Sequence, residues 1–215
     1  MSGSVMTDAF AVFGAAAHAG AQEIEERPGD RYRSFLESTL EDALVQHLPP
    51  TAETDQSRRR LALEGFEPRP NGVDIDWQHA STRAGVETKV SDVLDSLFDV
   101  VKLATAIAHG HFDQGYCAIA ADADHWARGG VVSQMCRAPA GEWCEHAVDE
   151  LLVEPAARKA VLVTKGPRPH TVPGRIETMA VEPIAMPKAP THKLRLLAVR
   201  PVTSTAWLEL PRRSA

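Results

Sequence analysis

The sequence predicts an α/β domain. Three stretches carry that prediction: an amphipathic helical pattern over 29–50, two alternating strands over 73–90, and an apolar helical run leading into a buried strand over 91–122. The order helix, strands, helix, strand is then followed by mixed signals, read as a C-terminal α+β embellishment. We divide the chain into an Ala-rich arm or helix (1–27), a core (28–122) and an extension packed on the same domain (123–215). With 215 residues, 44% apolar and 24% charged, the chain can bury a core as one globular unit.

The elements follow in order. Residues 1–27 predict a helix or a loose arm. They lack the positive start of a signal peptide, and Asp8, Gly14 and His18 interrupt the apolar run. In the next segment Tyr32, Phe35, Leu36, Leu40, Ala43, Leu44 and Leu48 recur at helical spacing. Asp30 is placed to cap that helix and Pro49–Pro50 to end it, with Glu37 and Glu41 on one face. Residues 51–72 read either as a short helix closing at Gly65 or as a strand through Leu61–Phe66, before a Pro-rich turn.

The stretch VDIDWQHA alternates, with Val73, Ile75 and Trp77 on one face and Asp74, Asp76 and Gln78 on the other. After a polar turn, VETKV puts Val86, Thr88 and Val90 on one face and Glu87 and Lys89 on the other. This is a hairpin. A turn centred near Ser81–Thr82 sets Asp74 near Lys89 and Asp76 near Glu87. From Ser91, a plausible N-cap, Val93, Leu94, Leu97, Val100, Val101, Ala104 and Ile107 or Ala108 make a buried helical stripe that ends at Gly110. GYCAIAAD reads as a buried strand and EWCEHAVDELLV as a helix. ARKAVLVTKG, RIETMAVEPIAM and HKLRLLAVRPV read as strands.

An acid two residues before a lysine is expected about once by chance in a chain with 29 acidic residues and six lysines. Context gives the pair Glu87–Lys89 its weight. It lies in an apolar strand, 13 residues after Asp74, and a helix and buried strand follow. Acids that share a small face repel unless a cation sits among them. A hard divalent ion takes such oxygen ligands, and it activates water and a phosphoryl oxygen. A lysine beside it can act on the water or stabilise charge on the phosphate.

GVDID followed by GVETKV resembles the PD-(D/E)XK nuclease superfamily, whose restriction-endonuclease-like core runs helix, three-strand meander, helix, strand. The resemblance covers residues 30 to about 122. It implies Mg²⁺-dependent hydrolysis of DNA phosphodiester bonds, with Mn²⁺ as a substitute. On the matching positions it implies Asp74 and Glu87 as metal ligands, Lys89 as the group acting on water or phosphate, and Glu41 or Glu37 as an assisting acid. Asp76 is the reserve ligand. It further implies DNA as partner, a homodimer where both strands are cut, and protein partners in a DNA-processing or defence system. The chain departs from the family where Val73, not proline, precedes Asp74, and where the helix after Lys89 lacks the Gln and Tyr of one exonuclease branch. The reading from another class is a catalytically inactive module of this fold, binding within a larger assembly.

Other signals are weaker. Cys136, Cys144 and His146 fall within eleven residues, but a zinc site needs four ligands and there is no CxxC pair. His109 and His111 sit at a helix end. Trp126, Trp143 and Trp207 read as packing residues. Three widely spaced cysteines fit a reducing, cytoplasmic setting, and no apolar run is long enough to span a membrane. A net charge of −6 argues against non-specific coating of nucleic acid, although basic clusters occur at Arg58–Arg60, Lys165–Arg168, His192–Arg195 and Arg212–Arg213. Arginine outnumbers lysine 17 to 6, the habit of a GC-rich bacterial genome.

Overall fold

Alternating apolar residues build one mixed sheet, and two helical layers cover its faces. The computed structural model describes residues 3–26, 35–49, 52–54, 73–153 and 171–210. Its helices are α1 (Gly3–Glu23), α2 (Glu37–His47), α3 (Ser96–Ala108), α4 (Ala123–Arg128), α5 (Gly130–Met135) and α6 (Val148–Leu151). Its strands are β1 (Ala52–Thr54), β2 (Ile75–His79), β3 (Thr82–Val90), β4 (Gln114–Asp122), β5 (Trp143–Ala147), β6 (Thr171–Pro173), β7 (Arg175–Ala180), β8 (Ile184–Ala185), β9 (His192–Pro201) and β10 (Trp207–Glu209). The fold is α/β with a mixed sheet in the order β1-β2-β3-β4-β9-β7-β5, with β8 also on β9. β6 and β10 form a separate ribbon.

The pair β3–β4 is parallel, so its strands need a crossover, and α3 supplies it. The other pairs are antiparallel. The face under α1 and α2 packs Phe13, Leu40, Leu44, Ile75, Trp77, Val86 and Tyr116. The opposite face packs Leu97, Val101 and Leu103 of α3 with Ile119, Trp126, Val132 and Leu197. Both faces of β4 are therefore dry, which explains its nearly unbroken apolar run. Residues after 122 extend the same sheet through β9, β7 and β5.

Of the two readings of the N-terminal segment, helix or loose arm, the structure has the helix, docked with the Phe13 ring stacked on Tyr116 at 4.8 Å between centroids. Several other sequence expectations need correction. α2 begins at Glu37, seven residues beyond the expected Asp30 cap, with no side-chain cap at Leu36. Asp30 and Tyr32 lie outside the described residues. The helix does end ahead of Pro49, where a residue preceding proline is pushed to extended backbone, as Leu48 is. Ser91 does not cap α3. It sits at φ 61°, and α3 starts five residues later.

The hairpin turns one residue earlier than expected. Ala80, at φ 51°, and Ser81 form a two-residue turn, so His79 faces Thr82 and Asp76 faces Gly85. The pairing is displaced by two residues, which preserves the faces but changes the neighbours. Val73 is also off the Ile75–Trp77 face. It precedes the strand and packs in the α3 layer, next to Gly85, where a Cβ would lie 3.0 Å from Val73 and Phe112.

EWCEHAVDELLV is a strand followed by one helical turn, β5 and α6. Strand β7 pairs with Trp143–Ala147 along its whole length, and that pairing overrides local helix propensity. RIETMA and HKLRLLAVRP are strands as expected, whereas ARKAVLVTKG and residues 55–72 lie outside the described residues. No helix among the described residues is long and apolar enough to cross a membrane.

Candidate metal centre

Strand β2 stops pairing with β3 at Ile75–Val86, while β3 runs on to Val90. Beyond that point the side of β3 away from β4 has lost its ladder, and its backbone donors need partners. The side chain of Asp74 takes one. Thr88 N donates to Asp74 Oδ2 at 2.7 Å, and the Thr88 hydroxyl donates to the same oxygen at 3.1 Å. The hydroxyl also lies 3.4 Å from Glu41 Oε1 of α2. Continuing the hairpin register by one residue brings Asp74 level with Glu87.

Glu37 and Glu41, one helical turn apart, reach this gap from α2. One carboxylate oxygen from each of Glu37, Glu41 and Asp74 lies within 4.8 Å of the other two. Among the described residues this is the one group with such geometry. Asp76, the other hairpin aspartate, lies outside it, and Arg83 grips both of its oxygens through Nε and Nη2.

Charged residues on α3 approach β3 from the other face. Lys102 Nζ lies 2.6 Å from Glu87 Oε1 and 3.6 Å from Asp99 Oδ1. Lys89 Nζ bridges the layers, 3.3 Å from Asp99 Oδ2 and 3.5 Å from Glu37 Oε1. Glu87, Asp99 and Lys102 are each at most 5% exposed. Asp99 and Lys102 were missed in the sequence. Their signal is two charges three apart inside LFDVVKLA, a run apolar on nearly every side and so unsuited to a solvated face.

Five carboxylates thus meet two ammonium groups in a largely buried space. Burial pushes the Glu37 carboxyl up. Lys89 pulls it back, and Asp74 and Asp99 add to the rise. Glu87 is pushed well up, first by burial and then by Asp74, with Lys102 opposing. Burial works to lower both lysines, but the surrounding acids outweigh it and hold them above their ordinary range. Lys89 is therefore an ammonium, able to stabilise negative charge but not to accept a proton.

The donor set fits a hard cation. Its atoms are carboxylate oxygens, its charge is negative in excess, and neither thiol nor imidazole belongs to it. The cysteines stand elsewhere. Cys117 and Cys136 are buried, and burial pushes the Cys136 thiol to about 12. His146 Nε2 is 2.8 Å from Thr178 Oγ1. Trp126 donates to Ala121 O, Arg200 stacks on Trp143, and Trp207 is half-exposed beside His109. Comparison with known proteins adds nothing to these side chains: no protein-family model, no curated protein and no solved structure matches the chain.

Proposed function

We propose that the chain is a metal-dependent nuclease that hydrolyses DNA phosphodiester bonds. One observation carries the reading: two acids of α2 and Asp74, just ahead of β2, converge to within 4.8 Å beside a lysine held as an ammonium. The order helix, antiparallel β1–β2–β3, crossover helix and parallel β4 is also the order of a restriction-endonuclease-like core.

In this reading Glu37, Glu41 and Asp74 would hold Mg²⁺, or Mn²⁺ in its place. A bound ion would polarise a phosphoryl oxygen and acidify water. Thr88 fixes the Asp74 carboxylate through two hydrogen bonds to Oδ2, so its other oxygen keeps one orientation. Lys89 stabilises the charge that builds on the phosphoryl oxygens as the bond breaks. Asp99 and Glu37 hold its ammonium from opposite faces. DNA is the polyanion proposed, with a second copy of the chain needed where both strands are cut.

Cleavage of plasmid, linear and single-stranded DNA with Mg²⁺ or Mn²⁺ tests the reading beside Lys89→Ala and Asp74→Asn. Activity that both substitutions abolish, with folding intact, supports it. Activity that survives both sinks it. A non-catalytic module is favoured by one specific observation: both lysines are already engaged by acids of the fold, Lys89 by Glu37 and Asp99 and Lys102 by Glu87. Intact metal binding without cleavage of any of these substrates would select it.

A further inference from the structure

Lys102 has no part in the reaction proposed above, yet it is more buried than Lys89. Its Nζ lies 2.6 Å from Glu87 Oε1, 3.6 Å from Asp99 Oδ1 and 5.7 Å from the centre of the Phe98 ring. Asp99 then reaches Lys89, and Lys89 reaches Glu37. Opposite charges alternate from Glu87 on β3 to Glu37 on α2. Glu87 Oε1 and Asp99 Oδ2 are buried, and no well-angled hydrogen bond reaches either one. Lysine charge is what compensates them.

The geometry points to Lys102 as a built-in counter-cation that keeps Glu87 out of the metal shell and leaves the ion to Glu37, Glu41 and Asp74. Three facts carry this. Glu87 is not a member of the carboxylate group with mutual 4.8 Å spacing. The Lys102 side chain is 6% exposed on a packed crossover helix, so a displaced ammonium has no water to enter. The same ammonium serves Asp99, so displacing it would strand two buried carboxylates rather than one. Lys102 is then a positioning residue. It fixes the charge at Glu87 and, through Asp99, the place of Lys89.

The inference rests on the metal reading, so its test uses metal binding and not cleavage. Mn²⁺ binding to the full chain is followed by the electron paramagnetic resonance signal of the free ion. Asp74→Asn and Glu41→Gln are expected to weaken binding by about tenfold or more, whereas Glu87→Gln stays within about threefold of the parent. Lys102→Met frees Glu87 to join the ion and tightens binding by about tenfold, and adding Glu87→Gln to it restores the parent value. Glu87→Gln weakening binding as much as Asp74→Asn overturns the inference, because Glu87 is then a ligand. So does a folded Lys102→Met whose Mn²⁺ affinity is unchanged or weaker. If Lys102→Met does not fold, Glu87→Gln alone decides.

Failure of the metal reading itself looks different. The parent then binds no Mn²⁺ at millimolar concentration, or Asp74→Asn and Glu41→Gln bind it as the parent does, and the inference falls with it.

Discussion

Replacing Asp74 by asparagine should stabilise the metal-free protein. Two unit charges 4.8 Å apart at an effective dielectric constant of about 20 repel by roughly 3.5 kcal/mol. Asp74 has two such neighbours in Glu37 and Glu41, and it also faces Glu87. Attraction to Lys89 and Lys102, together with solvent around Glu37, takes back most of that sum. A net repulsion of about 1–2 kcal/mol remains. Asparagine keeps an oxygen to accept from Thr88 N and Oγ1, so the local fold is retained.

Thermal unfolding at pH 8 in EDTA measures the effect. For a chain of this size the gain corresponds to a rise in Tm of about 3–6 °C. Mg²⁺ at ten times its Kd should add about 1.4 kcal/mol to the parent and nearly nothing to the variant. An Asp74→Asn protein less stable than the parent in EDTA, or one that gains as much from Mg²⁺, refutes the reasoning.

Other outcomes follow from the same contacts. Lys89→Met should cut DNA cleavage by about 10²–10³-fold, the scale of a lost charge-stabilising group, and leave Mn²⁺ binding in place; loss of binding would move Lys89 into the ion's own support. Asp76→Asn breaks the paired contact with Arg83 and should cost about 1 kcal/mol in denaturant unfolding, with the Mg²⁺-induced gain unchanged. Phe13→Ala empties a fully buried stack on Tyr116 and should cost about 3–5 kcal/mol; a loss under about 1 kcal/mol would mean that α1 is not docked. The Cys136 thiol stays neutral in the fold until about pH 12, while in the unfolded chain it ionises through about 9. Its contribution is present below pH 9 and is lost as pH rises toward 12, so Cys136→Ala should lessen alkaline unfolding. In the native protein at pH 8, alkylation followed by mass spectrometry should label Cys144 and spare Cys117 and Cys136.

Much of the scaffold was legible because its periodicities are strong. The Leu40, Ala43, Leu44 stripe, the alternation through Ile75–Trp77 and Val86–Val90, and the dry run of β4 each follow from burial on a known face. The hairpin register was not legible. It hangs on Ala80, which adopts a positive φ without being glycine or asparagine, so nothing local marks the turn. Ser91 failed as a cap for a related reason, since it is spent on a left-handed bend that returns β3 toward Ala120. β5 was hidden because Glu145 and Ala147 suit a helix as well as a strand, and its partner β7 lies some 30 residues on.

In the candidate site the hairpin acids and Lys89 stood out, and so did the two glutamates of α2. Their division between ion and lysine could not be read, because Lys102 belongs to a stripe that its neighbours mark as apolar. The pair Asp99 and Lys102, three apart, marks buried charge there, but the contact that decides the role of Glu87 joins residues 15 apart and on different layers.

The position of β9 has a consequence for biosynthesis. β4 is dry on both faces and is flanked by β3 on one edge and β9 on the other, with Ala118 level with Leu196. At about 5–20 residues per second, β4 leaves the ribosome roughly 4–16 s before the segment that must lie beside it. During that interval it presents an apolar, unpaired edge, the kind of surface that recruits chaperones or joins another nascent chain. Final closure of this sheet therefore waits for β9, and a fragment ending at residue 122 would keep that edge permanently bare.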